Sequence, residues 1–221
     1  MIPATNTVGK LLPINKFSDL LRHEIAQAGF IEILTSGLVS RKENFDFLRV
    51  PFESGKAVIL ANSKTKEFDT VRSLLLPGLL KTLFSNKSEK LPHKIFEVAD
   101  VCVIDPTTDT GARNERHACV LYADNSKTGM EIIHGILDLI MKKFAVKYNI
   151  ETGDSDGYSI KESTHPTFFE KRQVEVFLGQ TSIGHMGVLH PEVLKAYKLT
   201  NPCSVLEINM EKVFNYFEAT C

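Results

Sequence analysis

The order of its strand-like segments is the feature that most restricts how this chain can fold. After residue 145, strand composition recurs in segments with one short helix-like segment, residues 192–197, among them. The strand-like segments span residues 148–151, 158–162, 174–178, 181–188 and 204–209. Only Gly179 and Gln180 separate the third from the fourth, which predicts a β-hairpin. Consecutive hairpins form antiparallel strands, so the pattern predicts an α+β fold with helices packed on an antiparallel sheet.

Apolar stripes with helical spacing predict the helices that cover this sheet. The longest predicted helices span residues 16–28, 78–85 and 129–145. Asn15 is a candidate N-cap for the first of them, and Gly29 ends it. The stripe of the last helix is broad enough to face a sheet.

Shorter elements are predicted between these helices. Residues 30–39 and 56–61 have strand composition, and Ser40 is a candidate cap for a helix that ends near residue 48. Residues 94–104 and 115–123 can pair as an antiparallel hairpin. The loop between them, residues 105–114, is longer than a tight hairpin turn, and such loops are either functional or mobile.

Composition and charge exclude some classes of partner. With 43% hydrophobic and 24% charged residues among 221, the chain can bury a sizeable core. A formal net charge of -1 gives the chain no net positive charge that would attract nucleic acid or an anionic membrane. Lys81, Lys87, Lys90 and Lys94 do cluster locally, and a solvated helix face is the favoured interpretation of that cluster.

The cysteine pattern and the absence of long apolar runs favour a cytoplasmic protein. No run approaches the ~18 apolar residues of a membrane-spanning helix, and the N-terminal residues lack the features of a signal peptide. The cysteines are far apart and show no CxxC spacing, which predicts reduced thiols rather than a zinc site: Cys102, Cys119, Cys203 and Cys221. No membrane partner is therefore expected.

Motifs that carry well-known chemistry are absent. The sequence contains no GxxxxGK[ST], GxGxxG, HExxH or GxSxG, so no catalytic, cofactor-binding or metal-ligating residue is predicted. One residue is unusual: Glu97 lies between Phe96 and Val98 in a strand-like segment, where a carboxylate is costly unless it is paired. The candidate partners of Glu97 are Arg72, Arg113 and Arg116.

Several stretches, in collinear order, resemble one protein family. They read FDTVRSLLLPGLLKTLFSN, KIFEVADVCVIDPTTDTGARNERHACVLY, EIIHGILDLIMKKF, GVLHPEVL and CSVLEINM. Together they closely resemble the C-terminal part of the β subunit of phenylalanine–tRNA ligase, of the eukaryotic and archaeal type. The likeness extends over residues 12–210, and motifs that agree in order are more specific than any single motif.

The resemblance implies a class II aminoacyl-tRNA synthetase-like fold, an antiparallel β-sheet flanked by helices, over residues 14–221. Residues 1–13 are then an extended lead-in. It also implies a catalytic-like module that supports the α subunit of an α2β2 enzyme in the ATP-dependent charging of tRNA(Phe) with phenylalanine. ATP and Mg are expected in the holoenzyme and not in this chain, and tRNA(Phe) is expected to bind through the holoenzyme. The isolated chain is expected to be inactive.

The arginines that hold ATP in class II sites are missing where the resemblance would place them. The segment that corresponds to motif 2 has Phe96 and Glu97 in place of a pair containing arginine, and Arg113 and Arg116 belong to the same degenerate region. No arginine follows Arg172, so the last part of the chain cannot supply the arginine of motif 3. A planar guanidinium is the group that binds phosphate and stacks on adenine in such sites. The chain is therefore predicted to be non-catalytic.

The resemblance also places helix 16–28 where the family has its motif-1 interface helix. Its apolar residues are then candidate contacts with the α subunit: Phe17, Leu20, Leu21 and Ile25. The same stripe could instead pack only on the chain's own sheet. Two further alternatives are a stand-alone tRNA- or nucleotide-binding module that uses the lysine cluster, and an active class II-like ligase with a rebuilt ATP site.

Overall fold

The computed structural model describes residues 9, 11–53, 55–149 and 157–220. The helices are α1 (Pro13–Gln27), α2 (Arg41–Asn44), α3 (Leu76–Ser85), α4 (Met130–Lys143), α5 (Pro191–Ala196) and α6 (Met210–Thr220). The strands are β1 (Ile31–Glu32), β2 (Leu38–Val39), β3 (Thr70–Val71), β4 (His93–Ile104), β5 (Ala112–Ala123), β6 (Tyr158–Glu162), β7 (Phe168–Leu178), β8 (Thr181–Leu189) and β9 (Cys203–Asn209). Two short 3-10 helices span Asp46–Leu48 and Lys66–Phe68.

Seven of these strands form one sheet with the order β1-β4-β5-β9-β8-β7-β6. β1 is parallel to β4, and every other neighbouring pair in this sheet is antiparallel. β2 and β3 form a separate two-stranded sheet. The predicted α+β fold is confirmed, as are the hairpins β4–β5 and β7–β8.

Each face of the large sheet carries its own apolar core. On one face α1, α4 and α6 pack over side chains such as Phe96, Val120 and Leu206. On the other, α3, α5 and the 3-10 helix around Leu48 pack over Leu121 and neighbouring residues. Strand side chains alternate between the two faces, so the odd-numbered and even-numbered residues of β4, β5 and β9 belong to different cores.

The start of α1 differs from the prediction. The helix begins at Pro13 and follows Leu12, which makes no side-chain cap, so Asn15 is not the N-cap. A proline at the first helical position loses no hydrogen bond, because its N–H would have no partner there. The side chain of Asn15 instead accepts a hydrogen bond from Arg116 at 3.3 Å.

Two predicted strands are mostly absent, and one helix was missed. Within residues 30–39 only β1 and β2 form, because Thr35 between them donates its backbone N–H to a side-chain carboxylate. Residues 56–61 contain a single isolated bridge, from Ile59 to Thr70.

Helix α6 follows β9 without a break. Asn209 caps it by accepting from Lys212 N at 3.1 Å, a signal that was present in the sequence.

Other boundaries shift without changing the topology. β7 begins at Phe168 rather than near residue 174, and the loop between β4 and β5 shortens to residues 105–111. Of the predicted strand 148–151, Tyr148 forms one bridge to Tyr158, while residues 150 and 151 lie outside the described residues. None of the helices in the described part of the chain has the length and hydrophobicity needed to cross a membrane.

Gly184 allows β8 and β9 to approach closely. A Cβ atom at this position would lie 2.1 Å from the backbone oxygen of Glu207 and 2.8 Å from Cα of Ile208. We therefore expect Gly184→Ala to lower the free energy of unfolding by about 1–3 kcal/mol, the usual range for overpacking, in a urea titration. Gly135→Ala is the matched control, since a Cβ there meets nothing within 4 Å and should stabilise α4 slightly. Equal stability of the Gly184→Ala variant and the parent chain would contradict this reading of the contact.

Candidate functional site

A row of polar and thiol side chains crosses the sheet on the face covered by α3 and α5. Register partners from β4 to β7 place Glu97, Cys119, Glu207, His185 and Glu175 in one line. Glu97 is 1% exposed and Glu207 is 8% exposed. Buried carboxylates are costly unless paired and hydrogen-bonded, so such a row marks a specialised region of the sheet. We refer to it as the polar row.

At one end of the polar row, Glu97 is fully engaged within the chain. Its Oε1 accepts from Arg72 Nη1 at 2.9 Å and from Thr35 N at 3.2 Å, and its Oε2 accepts from Thr35 Oγ1 at 2.7 Å. Arg72 is 7% exposed and donates again to the backbone oxygen of Asp100 at 2.9 Å. This pair fastens the loop between β1 and β2 onto β4.

Arg72 is therefore the partner of Glu97, and the two other candidate arginines are used elsewhere. Arg113 pairs with Glu115 and, at 2.9 Å, with Asp105 in the β4–β5 loop. Arg116 pairs with Asp100 and donates to Ser18 Oγ of α1 at 2.7 Å. Phe96, the remaining residue of the predicted degenerate region, is buried in the opposite core. The sequence-predicted residues of this region thus lie on both faces of the sheet and do not form one site.

His117 lies on β5, two residues before Cys119 of the polar row, and its ring is placed between two carboxylates. Its Nδ1 is 3.3 Å from Oε1 of Glu207, and its Nε2 is 3.4 Å from Oε2 of Glu115. Glu207 also accepts from the backbone N–H groups of Leu75 and Leu76, at 2.7 and 3.0 Å. Those donors lie at the start of α3, where N–H groups have no helical partner, so Glu207 joins β9 to this helix.

The carboxylates decide the charge of His117. Burial alone would lower its pKa, but the hydrogen bonds and charges of Glu115 and Glu207 outweigh burial and raise the pKa to about 9. The hydrogen bond from His117, opposed by burial and helped by the charge of Arg113, holds the pKa of Glu115 below its usual value. His117 is therefore a cation at neutral pH, and both of its ring N–H groups are used within the chain.

A cavity of about 250 Å³ lies beside this network. Its apolar lining includes Leu48, Leu76 and Ile183, and its polar lining includes His165 and His185. The two imidazole rings are 4.8 Å apart between centroids. Burial, reinforced by the neighbouring His185, lowers the pKa of His165 to about 4, and burial also lowers the pKa of His185. Both rings are therefore neutral at pH 7.

The lining does not fit ATP. Two carboxylates, Glu115 and Glu207, line the cavity and would repel phosphates, and no arginine lines it among the described residues. Among the described residues, Lys212 is the one lysine that lines the cavity, and it already donates to the backbone oxygen of Ser182 at 2.8 Å. No cluster of three or more His, Cys, Asp or Glu side chains in the described part of the chain is placed to hold a metal ion. The network therefore uses its polar groups to join strands and helices.

Sequence reasoning missed most of this network. Glu115 and His117, and likewise Glu207 and Asn209, lie two residues apart on their strands, and all four face the same side. Asn209 donates to Glu115 Oε2 at 2.7 Å. Polar residues at a spacing of two near the strand ends were the available signal. The register that brings them together could not be inferred from the sequence.

The predicted interface residues on α1 separate into two groups. Phe17, Leu21 and Ile25 are buried in the chain's own core, whereas Leu20 is 45% exposed. On the adjacent sheet edge, Ile31 of β1 is 67% exposed and Leu34 is 90% exposed. α1 is tied to this edge by the ion pair from Arg22 Nε to Glu32 Oε1, at 2.9 Å. We call Leu20, Ile31 and Leu34 the apolar edge.

Comparisons with known proteins identify relatives of this chain. The family model for the phenylalanyl tRNA synthetase beta chain CLM domain matches residues 1–210. The chain is 46% identical, over 95% of its length, to a human protein named phenylalanine–tRNA ligase beta subunit. It is 39% identical, over 92% of its length, to the cytoplasmic phenylalanine–tRNA ligase beta subunit of Arabidopsis thaliana. The chain spans 35% of the length of each of these relatives.

A solved structure shows the same fold at low sequence identity. A pyrrolysyl tRNA synthetase, PylSc from Desulfitobacterium hafniense, matches with a TM-score of 0.74 and 11% identity, covering 96% of this chain and 72% of that one. The predicted class II synthetase-like fold is thereby confirmed. With a family model over nearly all of its residues and relatives above 30% identity, this chain belongs to the phenylalanyl-tRNA synthetase β-chain family.

Proposed function

We propose that this chain is a non-catalytic, catalytic-like module that supports the α subunit of a phenylalanine–tRNA ligase in the cytoplasm. In this proposal the α subunit binds ATP, Mg and phenylalanine and charges tRNA(Phe). The observation that carries the proposal is the closed network around His117, in which Glu115 and Glu207 are satisfied by groups of the chain itself. A site built to bind phosphates would present unpaired cationic donors instead.

The test of the non-catalytic role is ATP–pyrophosphate exchange that depends on phenylalanine. We expect no exchange above background from this chain alone, because no arginine lines the cavity beside the network among the described residues. The α subunit of a relative, assayed with and without this chain, is the positive control. Phenylalanine-dependent exchange by the chain alone would overturn the proposal and support an active ligase.

The apolar edge is the surface that we propose contacts the α subunit. Large exposed aliphatic residues on α1, in the two-residue edge strand β1 and just after it leave apolar area and backbone groups available to a partner. Phe17, Leu21 and Ile25 contribute indirectly, because their burial fixes α1 against the sheet.

Ile31→Asp and Leu34→Asp are expected to weaken association with the α subunit at least about tenfold each. A buried aliphatic contact near the centre of an interface carries more than ~1 kcal/mol, and a carboxylate there is desolvated as well. Isothermal titration with the α subunit of a relative measures this change. The matched control is Phe169→Asp, a residue that is 40% exposed at the start of β7, far along the sheet order from β1. Unchanged affinity in both edge variants, with folding intact by circular dichroism, would exclude this surface.

A further inference from the structure

A second cleft lies where the chain leaves α3 and α5. Its volume is about 460 Å³, and its apolar lining is formed by Leu83, Ala123 and Leu199. The rest of its lining carries groups that can donate hydrogen bonds: Lys87, Ser88, His93, Lys198, Thr200 and Asn201. No acidic side chain lines this cleft among the described residues. Its chemistry is therefore opposite to that of the cavity beside His117.

Two lysines of this cleft converge on one aromatic ring. Nζ of Lys87 is 4.7 Å and Nζ of Lys198 is 5.9 Å from the ring centroid of Phe84. Neither ammonium group forms an ion pair with a carboxylate in the part of the chain that the structure describes. Both ammonium groups thus lie near one ring without a neutralising carboxylate, and an anion in the cleft would offset their positive charge.

Helix ends do not neutralise these lysines. Both follow helix C-termini, whose partial charge is about −0.5 each, against a full positive charge on each ammonium. Lys198 has φ 57°, in the left-handed region, and closes α5 through its backbone N–H to Lys195 O at 3.0 Å. Glycine is the usual residue at such a position, and another residue costs roughly 1 kcal/mol. Lys198 adopts this strained backbone conformation, and its side chain adds a positive charge to the cleft.

His93 provides an independent indication of a ligand. Its Nε2 is buried and has no hydrogen-bond partner among the described residues. A buried polar atom without a partner costs about 1–3 kcal/mol. The ring lines the same cleft as the two lysines, so a ligand bound there would contact a side chain whose hydrogen-bonding capacity is not used within the described residues.

We infer that this cleft binds the phosphate group of a phosphate ester. Two ammonium groups, an imidazole and the hydroxyls of Ser88 and Thr200 suit an oxyanion with several acceptor oxygens. A cleft of about 460 Å³ that is partly lined by apolar side chains is larger than a phosphate ion, so the phosphate is carried by an organic group. A small ester and the backbone of an RNA present the same chemistry, and the experiment below distinguishes these two sources.

The experiment follows the ring signals of His93 by NMR during titration of the 221-residue chain. The probes are inorganic phosphate, adenosine 5′-monophosphate and tRNA. We expect a saturable shift of the His93 signals, with adenosine 5′-monophosphate binding more tightly than inorganic phosphate. Lys87→Gln and Lys198→Gln should each weaken binding about tenfold, the loss expected for one charge-assisted hydrogen bond. Lys142→Gln is the matched control, since this exposed lysine belongs to α4 on the other face of the sheet.

Each outcome decides the inference. Lysine-dependent binding of the small ester supports a small-molecule ligand. Lysine-dependent binding of tRNA alone, steeply weakened by salt, assigns the phosphate to an RNA backbone. No saturable shift with any probe, or equal affinity in the Lys87→Gln/Lys198→Gln double variant, would show that the lysines serve only the helix ends. These measurements do not involve the α subunit, so they are independent of the proposed function.

Discussion

Replacing Glu97 with leucine is expected to lower the free energy of unfolding by about 3–5 kcal/mol. The substitution leaves the guanidinium of Arg72, which is 7% exposed, without its carboxylate, and breaking a buried ion pair on one side costs this much. It also removes the acceptor for the backbone N–H and hydroxyl of Thr35, which frees the loop between β1 and β2. Urea denaturation followed by circular dichroism measures the change.

Two further variants separate the ion pair from a general effect of the substitution. The double variant Glu97→Leu/Arg72→Met should recover much of the lost stability, because neither charge then remains buried alone. Glu53→Leu is the matched control, since this glutamate is 62% exposed in its pair with Lys56 and should change stability by less than ~1 kcal/mol. A double variant no more stable than Glu97→Leu would show that Arg72 contributes nothing through its charge.

Raising the pH from about 6.5 to 9 is expected to destabilise the chain by an amount on the order of 3 kcal/mol through His117. The pKa of His117 is raised in the folded state to about 9, so the folded chain holds a proton that the unfolded chain loses near pH 6.5. That contribution is complete below pH 6.5 and is lost as the pH rises through 9. Urea titrations at pH steps between 6 and 9.5 measure the slope.

The other shifted groups mostly act outside this window. Burial raises the pKa of Cys203 to about 12, so this thiol affects stability only near and above pH 9. His165 and His185 have lowered pKa values, and stability therefore falls through them as the pH drops below 6.5. In His117→Gln the loss between pH 6.5 and 9 should disappear while the acid loss remains. An unchanged alkaline slope in this variant would contradict the assignment.

The class of fold could be predicted because it depends on local patterns. Alternation with a period of two marked β4, β5, β8 and β9, and the stripe of α4 marked the helix that covers them. Elements whose partners are distant were predicted less well. The segment around Thr35 has strand composition, but the carboxylate of Glu97 competes for its backbone, and no local pattern reports that competition.

The candidate site was visible in the sequence only at one residue. Glu97 attracted attention because a carboxylate in an apolar strand needs a partner, and Arg72 was among the arginines named for it. Glu115, His117 and Glu207 did not stand out, since each is ordinary in its own segment. The register of β5 with β9 makes them a network.

What the sequence determined by itself is the α+β class, the family resemblance and the absence of any arginine after Arg172. Tertiary structure alone decided that Phe17, Leu21 and Ile25 are buried while Leu20 remains exposed. It also decided that the carboxylates beside His117 are paired within the chain, and that the ammonium groups of Lys87 and Lys198 both lie near the ring of Phe84. The physical reason is that periodicity and residue type act over a few neighbouring residues. Burial, charge pairing and pKa instead depend on groups that strand register and helix packing bring together from distant parts of the chain.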